Sequence, residues 1–253
     1  MSLFYRLLLA HIIADFPLQT KQIFNIKMNT EWGVLLHSLI VLIFSVLLTF
    51  PYLEEFSYIL LLMIIFISHT IIDKVKLEHS KKDNNLTIGI FLFDQILHLG
   101  IIFILSIIFN KNYFLNYNFN STFLNYLIEF YNNDIFIINL SGYIISVFFI
   151  PILLLHIKEK EDITDKSLTS LVPKKIKIKI PENQTIDKSY RLLLTISTQY
   201  LDDKYIAIIF IGFIIANFIY YQISAEKIEK VYNLKRIINT SLAIFIGLVL
   251  KMR

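Results

Sequence analysis

Cysteine is absent from the 253-residue chain. Disulfides and thiolate metal sites are therefore excluded, which leaves His, Asp and Glu as the side chains able to ligate a metal. Charge is also scarce: Asp, Glu, Lys and Arg make up 17% of the residues, against roughly 25% in soluble domains. The net charge of +4 is small, and the lysines gather in a few loops. That is the pattern of a membrane topology signal, so no nucleic-acid partner is expected. The first apolar run lacks a small-residue cleavage pattern and carries Arg6, His11 and Asp15. It reads as a retained helix and not as a removed signal peptide.

What the chain has in quantity is apolar surface, with 56% hydrophobic residues and a mean hydropathy of +0.62. Ile/Leu/Phe runs of about 15 to 22 residues recur, enough for spanning helices. The expected fold class is all-α: a polytopic membrane helical bundle with about seven or eight membrane helices and a charged cytoplasmic linker.

Three regions follow from this patterning. Residues 1–109 read as a four-helix membrane domain, with helices over about Ser2–Phe16, Trp32–Phe50, Phe56–Val75 and Leu86–Phe109. Residues 17–31 between the first two suit an interfacial helix, and a polar loop is expected around Lys74, Lys76, Lys81 and Lys82. Residues 110–138, rich in Asn, Tyr and Phe, read as an extracytoplasmic loop. Residues 139–253 hold the C-terminal membrane helices. These are one to about Ile157, a hairpin of Tyr190–Leu201 and Lys204–Tyr221, and a last helix over about Ile237–Leu250, with the charged cytoplasmic linker at 158–190. Within that linker, Lys174–Ile180 alternates Lys and Ile as a short surface strand would.

Against this background one residue pairing stands out. His11 and Asp15, His69 and Asp73, and Asp94 and His98 are each four residues apart, one turn along the same helix face. With ten Asp and six His in the chain, about half such a pair is expected by chance. A further His37 stands alone in an apolar run. With lysine-rich segments placed inside, all seven residues fall in the inner half of the bilayer, an agreement that the spacing alone does not require. An unpaired charge at that depth costs roughly 2.5–3.5 kcal/mol. Neutral imidazole with carboxylate and no sulfur suits Zn²⁺, Mn²⁺ or Fe²⁺. His11, Asp15, His37, His69, Asp73, Asp94 and His98 are accordingly the candidate metal ligands, for one or two divalent ions. Asp94 is the candidate general base, and Gln19 and Gln95 could orient ligands. The competing account is that the pairs only lock helices together.

These residues carry a resemblance. His11-Ile-Ile-Ala-Asp15-Phe-Pro-Leu-Gln19, the lone His37, His69-Thr-Ile-Ile-Asp73-Lys-Val-Lys76 and Phe91-Leu-Phe-Asp94-Gln-Ile-Leu-His98 resemble the motifs of an uncharacterised family of bacterial inner-membrane proteins, domain-of-unknown-function 3307, over about residues 3–105. The layout is more distantly similar to YdjM-like proteins, grouped as membrane-bound metal-dependent hydrolases. The resemblance implies a multi-pass protein of the bacterial inner membrane. With the ligand set, it points to a metal-dependent hydrolase near the cytoplasmic leaflet, with a phosphate ester or membrane lipid as substrate. A divalent-ion transporter and a non-catalytic membrane scaffold are the alternatives.

Overall fold

Prolines and polar breaks cut the apolar chain into helices. Pro17 disfavours helical backbone at the residue before it, and α1, Ser2–Asp15, ends two residues short of it. The computed structural model describes residues 2–30, 32–83, 88–109, 121–153, 184–202 and 227–252, with isolated positions between 205 and 215. Helix α2, Lys21–Asn29, opens at Thr20, whose hydroxyl accepts from the Ile23 amide at 3.4 Å. Helix α3, Gly33–Leu48, gives way to a 3₁₀ turn, Phe50–Glu54, that contains Pro51. Helices α4, Phe56–Asp83, and α5, Ile88–Phe109, complete the first half, and α6, Thr122–Asn132, and α7, Asp134–Ile144, follow. A π turn, Ile145–Phe149, succeeds α7; α8 is Gln184–Tyr200 and α9 is Lys227–Lys251. No strand occurs among the described residues.

Three expectations need correcting. Lys74, Lys76, Lys81 and Lys82 stand on α4, not in a loop. No Gly or Pro interrupts residues 56–83, and Lys, Glu and Leu favour helix. Within 110–138, Thr122–Asn132 is helical, where Leu124, Ile128 and Tyr131 repeat at helical spacing; residues 110–120 lie outside the described residues. Helix α8 begins at Gln184, ahead of the Tyr190 start expected for it, because Gln184–Ser189 is free of helix breakers. The strand expected at 174–180 and most of the segment 204–221 lie outside the described residues.

Three helices are long and apolar enough to cross a membrane: Phe56–His79, Ile88–Phe109 and Asp134–Leu153. Gly33–Leu48 and Ile237–Lys251 are apolar but shorter, so three of the expected seven or eight reach spanning length among the described residues. Leu35, Leu39, Ile43 and Leu47, one turn apart on α3, are exposed. Such a stripe would be unusual on a monomer in water and is ordinary against lipid. The chain is a membrane protein.

It divides into two compact units, residues 1–145 and 146–253. In the first, α1 packs against α3, α5 and α7, α3 against α4, and α4 against α5. The chemistry of this bundle differs from one end to the other. Around the first turns of α1 lies an apolar core of Leu3, Leu7, Tyr52, Tyr58, Leu61, Leu62, Ile65 and Ile102, with the Tyr58 hydroxyl bonded to Thr49 Oγ1. There the fully buried Arg6 donates to Asp134 Oδ1 (3.0 Å) and to the Tyr131 carbonyl (2.6 Å), tying α1 to α6 and α7. Burial pushes the Tyr131 hydroxyl up to about 12, so it stays protonated and donates to the Leu48 carbonyl at 3.0 Å. The last turn of α1 lies among charged and imidazole side chains instead.

Candidate metal centre

Each i, i+4 pair puts an imidazole and a carboxylate on one helix face, and bundle packing turns those faces toward one another. His11 and Asp15 come from the last turns of α1, His37 from the second turn of α3, His69 and Asp73 from α4, and Asp94 and His98 from α5. All seven are buried, and the structure brings all seven together.

Asp15 Oδ1 is surrounded by three imidazole nitrogens: His37 Nε2 at 3.2 Å, His11 Nδ1 at 3.6 Å and His69 Nε2 at 3.8 Å. Asp73 Oδ2 lies 3.4 Å from His69 Nε2 and 3.7 Å from His37 Nε2. Its Oδ1 is 4.0 Å from His98 Nε2, and Asp94 Oδ1 is 3.4 Å from the same nitrogen. The rings lie close, with His69 stacked on His98 at 4.1 Å between centroids. Three triads have ligand atoms within 4.8 Å of one another: His11, Asp15 and His69; His37, His69 and Asp73; and Asp73, Asp94 and His98.

These separations can be tested against the two accounts of the cluster. An N–H···O hydrogen bond spans about 2.7–3.2 Å. Two ligands bound tetrahedrally to one ion at about 2.0–2.2 Å lie roughly 3.3–3.6 Å apart. Most of the distances fall beyond the first range and near the second. Nine buried atoms of the seven side chains have no hydrogen-bond partner: both nitrogens of His11 and of His37, Nε2 of His69 and His98, Asp15 Oδ1, Asp73 Oδ2 and Asp94 Oδ1. Apart from Asp73 Oδ2, which meets the Lys27 ammonium, buried polar atoms left this way cost about 1–3 kcal/mol each. The donor set therefore fits a divalent ion. A cavity about the size of one water molecule, lined by His11, His69, His98 and Ser68 with Val41 and Ile65, adjoins it.

Further polar groups brace the cluster. The Gln95 amide donates to Asp15 Oδ2 at 3.2 Å and to Asp94 Oδ2 at 3.1 Å. The Gln19 amide, oriented to suit its neighbours, donates to the Asp15 carbonyl at 3.1 Å and accepts from Lys27 Nζ at 3.3 Å. Lys76 Nζ is 2.6 Å from Asp94 Oδ2. Lys27 Nζ is 2.6 Å from Asp73 Oδ2, in contact as an ion pair but without hydrogen-bond geometry. Of the two other histidines, His79 is exposed on α4 and His156 lies outside the described residues.

Lys27 is the residue that sequence reasoning missed. It is the one buried residue of α2, and its position depends on Gly33, where a Cβ would stand 2.3 Å from the Ile26 carbonyl oxygen and 2.6 Å from Lys27 Cα. Only a residue without a side chain lets α2 lie so close to the start of α3. The nearest signal in the sequence was a lysine and a glycine six residues apart in an interfacial segment, which does not by itself specify a contact with α4.

Residues 3–128 match the model of a family described as a protein of unknown function, DUF3307. No curated protein and no solved structure matches the chain.

Proposed function

We propose, for a chain that belongs to the DUF3307 family through residues 3–128, that it is a metal-dependent hydrolase embedded in the bacterial inner membrane. Its centre would act near the cytoplasmic leaflet, on a phosphate ester or a lipid. The observation that carries the reading is the set of nine buried nitrogen and oxygen atoms, from four helices, that face one another without hydrogen bonds. His11, Asp15, His37, His69, Asp73, Asp94 and His98 would hold Zn²⁺, Mn²⁺ or Fe²⁺. Bound there, such an ion would lower the pKa of a water toward 7 and polarise the scissile group.

The remaining roles fall to the chain's own residues. Asp94, whose Oδ1 has no hydrogen bond of its own, would take a proton from water as general base. Gln95 holds Asp94 and Asp15 in register, as residues behind metal ligands commonly do. The lysine-rich end of α4 would face the cytoplasm. The seven or eight crossings read from the sequence would require α1, α3, α8 and α9 to cross as well. A transporter needs polar groups along the whole passage, and the buried Leu7, Leu61, Leu62 and Ile65 beyond the cluster argue against one.

Purification in mild detergent followed by elemental analysis tests the reading. Stoichiometric Zn, Mn or Fe is expected, together with cleavage of a chromogenic phosphate ester that chelator abolishes and metal restores. His69→Ala should lose both metal and cleavage. Protein that carries no metal and takes none up when it is supplied would refute the proposal.

A further inference from the structure

The three carboxylates of the cluster are not equivalent. Asp73 and Asp94 each hold a lysine ammonium at 2.6 Å. Asp15 has no ammonium within ion-pair distance among the described residues; its Oδ2 accepts from the neutral Gln95 amide, and its Oδ1 faces only imidazoles. Imidazoles that ligate a metal are neutral. The buried shell therefore carries one uncompensated negative charge, and that charge sits on Asp15. One divalent ion would leave the centre at plus one, which a single hydroxide neutralises. Two would leave it at plus three inside a bundle that buries every ligand, where uncompensated charge is strongly opposed.

We infer that the centre takes a single divalent ion, seated at Asp15 Oδ1 against His11 and His69 with His37 beside it, and that Lys27 and Lys76 stand where a second ion would otherwise be needed. This rests on the metal reading above and goes further, because it fixes the number of ions, their location and the purpose of the buried Lys27 and the half-buried Lys76. The geometry agrees with it. The water-sized cavity is lined by His11 and His69, two members of the Asp15 group, and by His98, so an ion seated at Asp15 would have room for a water beside it. Asp94 Oδ2, turned away from His98, is taken by Lys76, and Lys27 competes with His37 and His69 for Asp73 Oδ2.

The test is metal counting on the full chain in detergent, titrated with Zn²⁺ or Mn²⁺ alone. The wild type should saturate at one ion per chain. Two ions would overturn the inference while leaving a metal enzyme in place, and none would remove both. Asp15→Asn should weaken binding at least a hundredfold; binding within tenfold of wild type would place the ion elsewhere. Lys76→Met, which keeps the apolar stem and removes the charge, should take up a second ion, with Asp94 and His98 released to hold it. A Lys76→Met protein that elutes as a single species and still binds one ion would refute the role given to the lysine. The wild-type count decides the stoichiometry even if a variant does not fold.

Discussion

Thr195, in the C-terminal unit, and His37, in the N-terminal unit, are both fully buried, yet their polar atoms fare differently. The Thr195 hydroxyl pairs with Ser146 Oγ at 2.6 Å and lies 2.9 Å from the Arg191 carbonyl and 3.3 Å from the Ala243 carbonyl. Neither ring nitrogen of His37 has a hydrogen-bond partner. The contrast extends to their neighbours. Thr198 bonds the Leu194 carbonyl at 2.7 Å, and Arg191 reaches the Val147 carbonyl at 3.2 Å in the π turn, where the altered backbone pattern frees an acceptor. Arg191 Nε is the exception. This seam shows how polar residues behave when their task is to join helices in lipid: hydroxyls close short bonds to backbone and to each other. The His/Asp cluster does not look like that. Its atoms approach to ligand–ligand distances and stop, which an arrangement built only for cohesion has no reason to do.

The largest expected effect separates the two units by chelation. An ion present at a thousand times its Kd stabilises the state that binds it by about 4 kcal/mol. Stripping the metal should therefore speed hydrogen exchange in α1, α3, α4 and α5 by up to roughly a thousandfold. Exchange in α8 and α9 should stay as it was. Equal acceleration in both units, or none in either, would mean that the cluster is another seam.

How far the sequence foresaw this depended on whether a feature lies along one helix or between several. The His/Asp pairs were legible because helical periodicity alone puts positions four apart on one face. Their burial in apolar runs showed that those faces must be compensated. The convergence of His37, which has no partner at that spacing, followed from its depth in α3. Lys27 was not legible, since its contact with Asp73 requires α2 to fold back at Gly33, a tertiary event. The charges of Lys74–Lys82 suggest a loop, but Lys and Glu propagate a helix as well as most residues, and α4 continues through them. The seam of Thr195 and Thr198 is not legible either. Single hydroxyl residues in an apolar run carry no pattern until their acceptors are known.

A smaller effect probes the seam itself. A Cβ on Gly247 would stand 2.7 Å from the Thr195 carbonyl oxygen and 2.7 Å from Thr198 Cβ. Small residues in membranes allow close backbone approach of this kind. Gly247→Ala should force α8 and α9 apart and cost about 1–3 kcal/mol, read as a lowered denaturation midpoint in detergent. Metal content should not change. A variant that loses metal as well would show that the units are energetically joined.

The smallest effect bears most directly on what the cluster is for. Thr195→Val keeps the shape of the side chain and removes its hydroxyl, so it deletes the bonds to Ser146 and to the two carbonyls without opening a void. Backbone carbonyls keep their helical partners, and Ser146 can turn to a carbonyl in its own helix, so little is left unpaired. The expected loss is about 1 kcal/mol. The coupling of Thr195→Val with Ser146→Ala should be near 0.6 kcal/mol and no more than about 1.7, as for interhelical hydrogen bonds in other bundles. The same cycle on Asp15 and His37, with Asp15→Asn and His37→Phe, should differ in kind: large coupling with metal bound, and little once it is stripped. Glue works without an ion, so a coupling at Asp15 and His37 that survives chelation unchanged would place the cluster in the same class as the threonine seam.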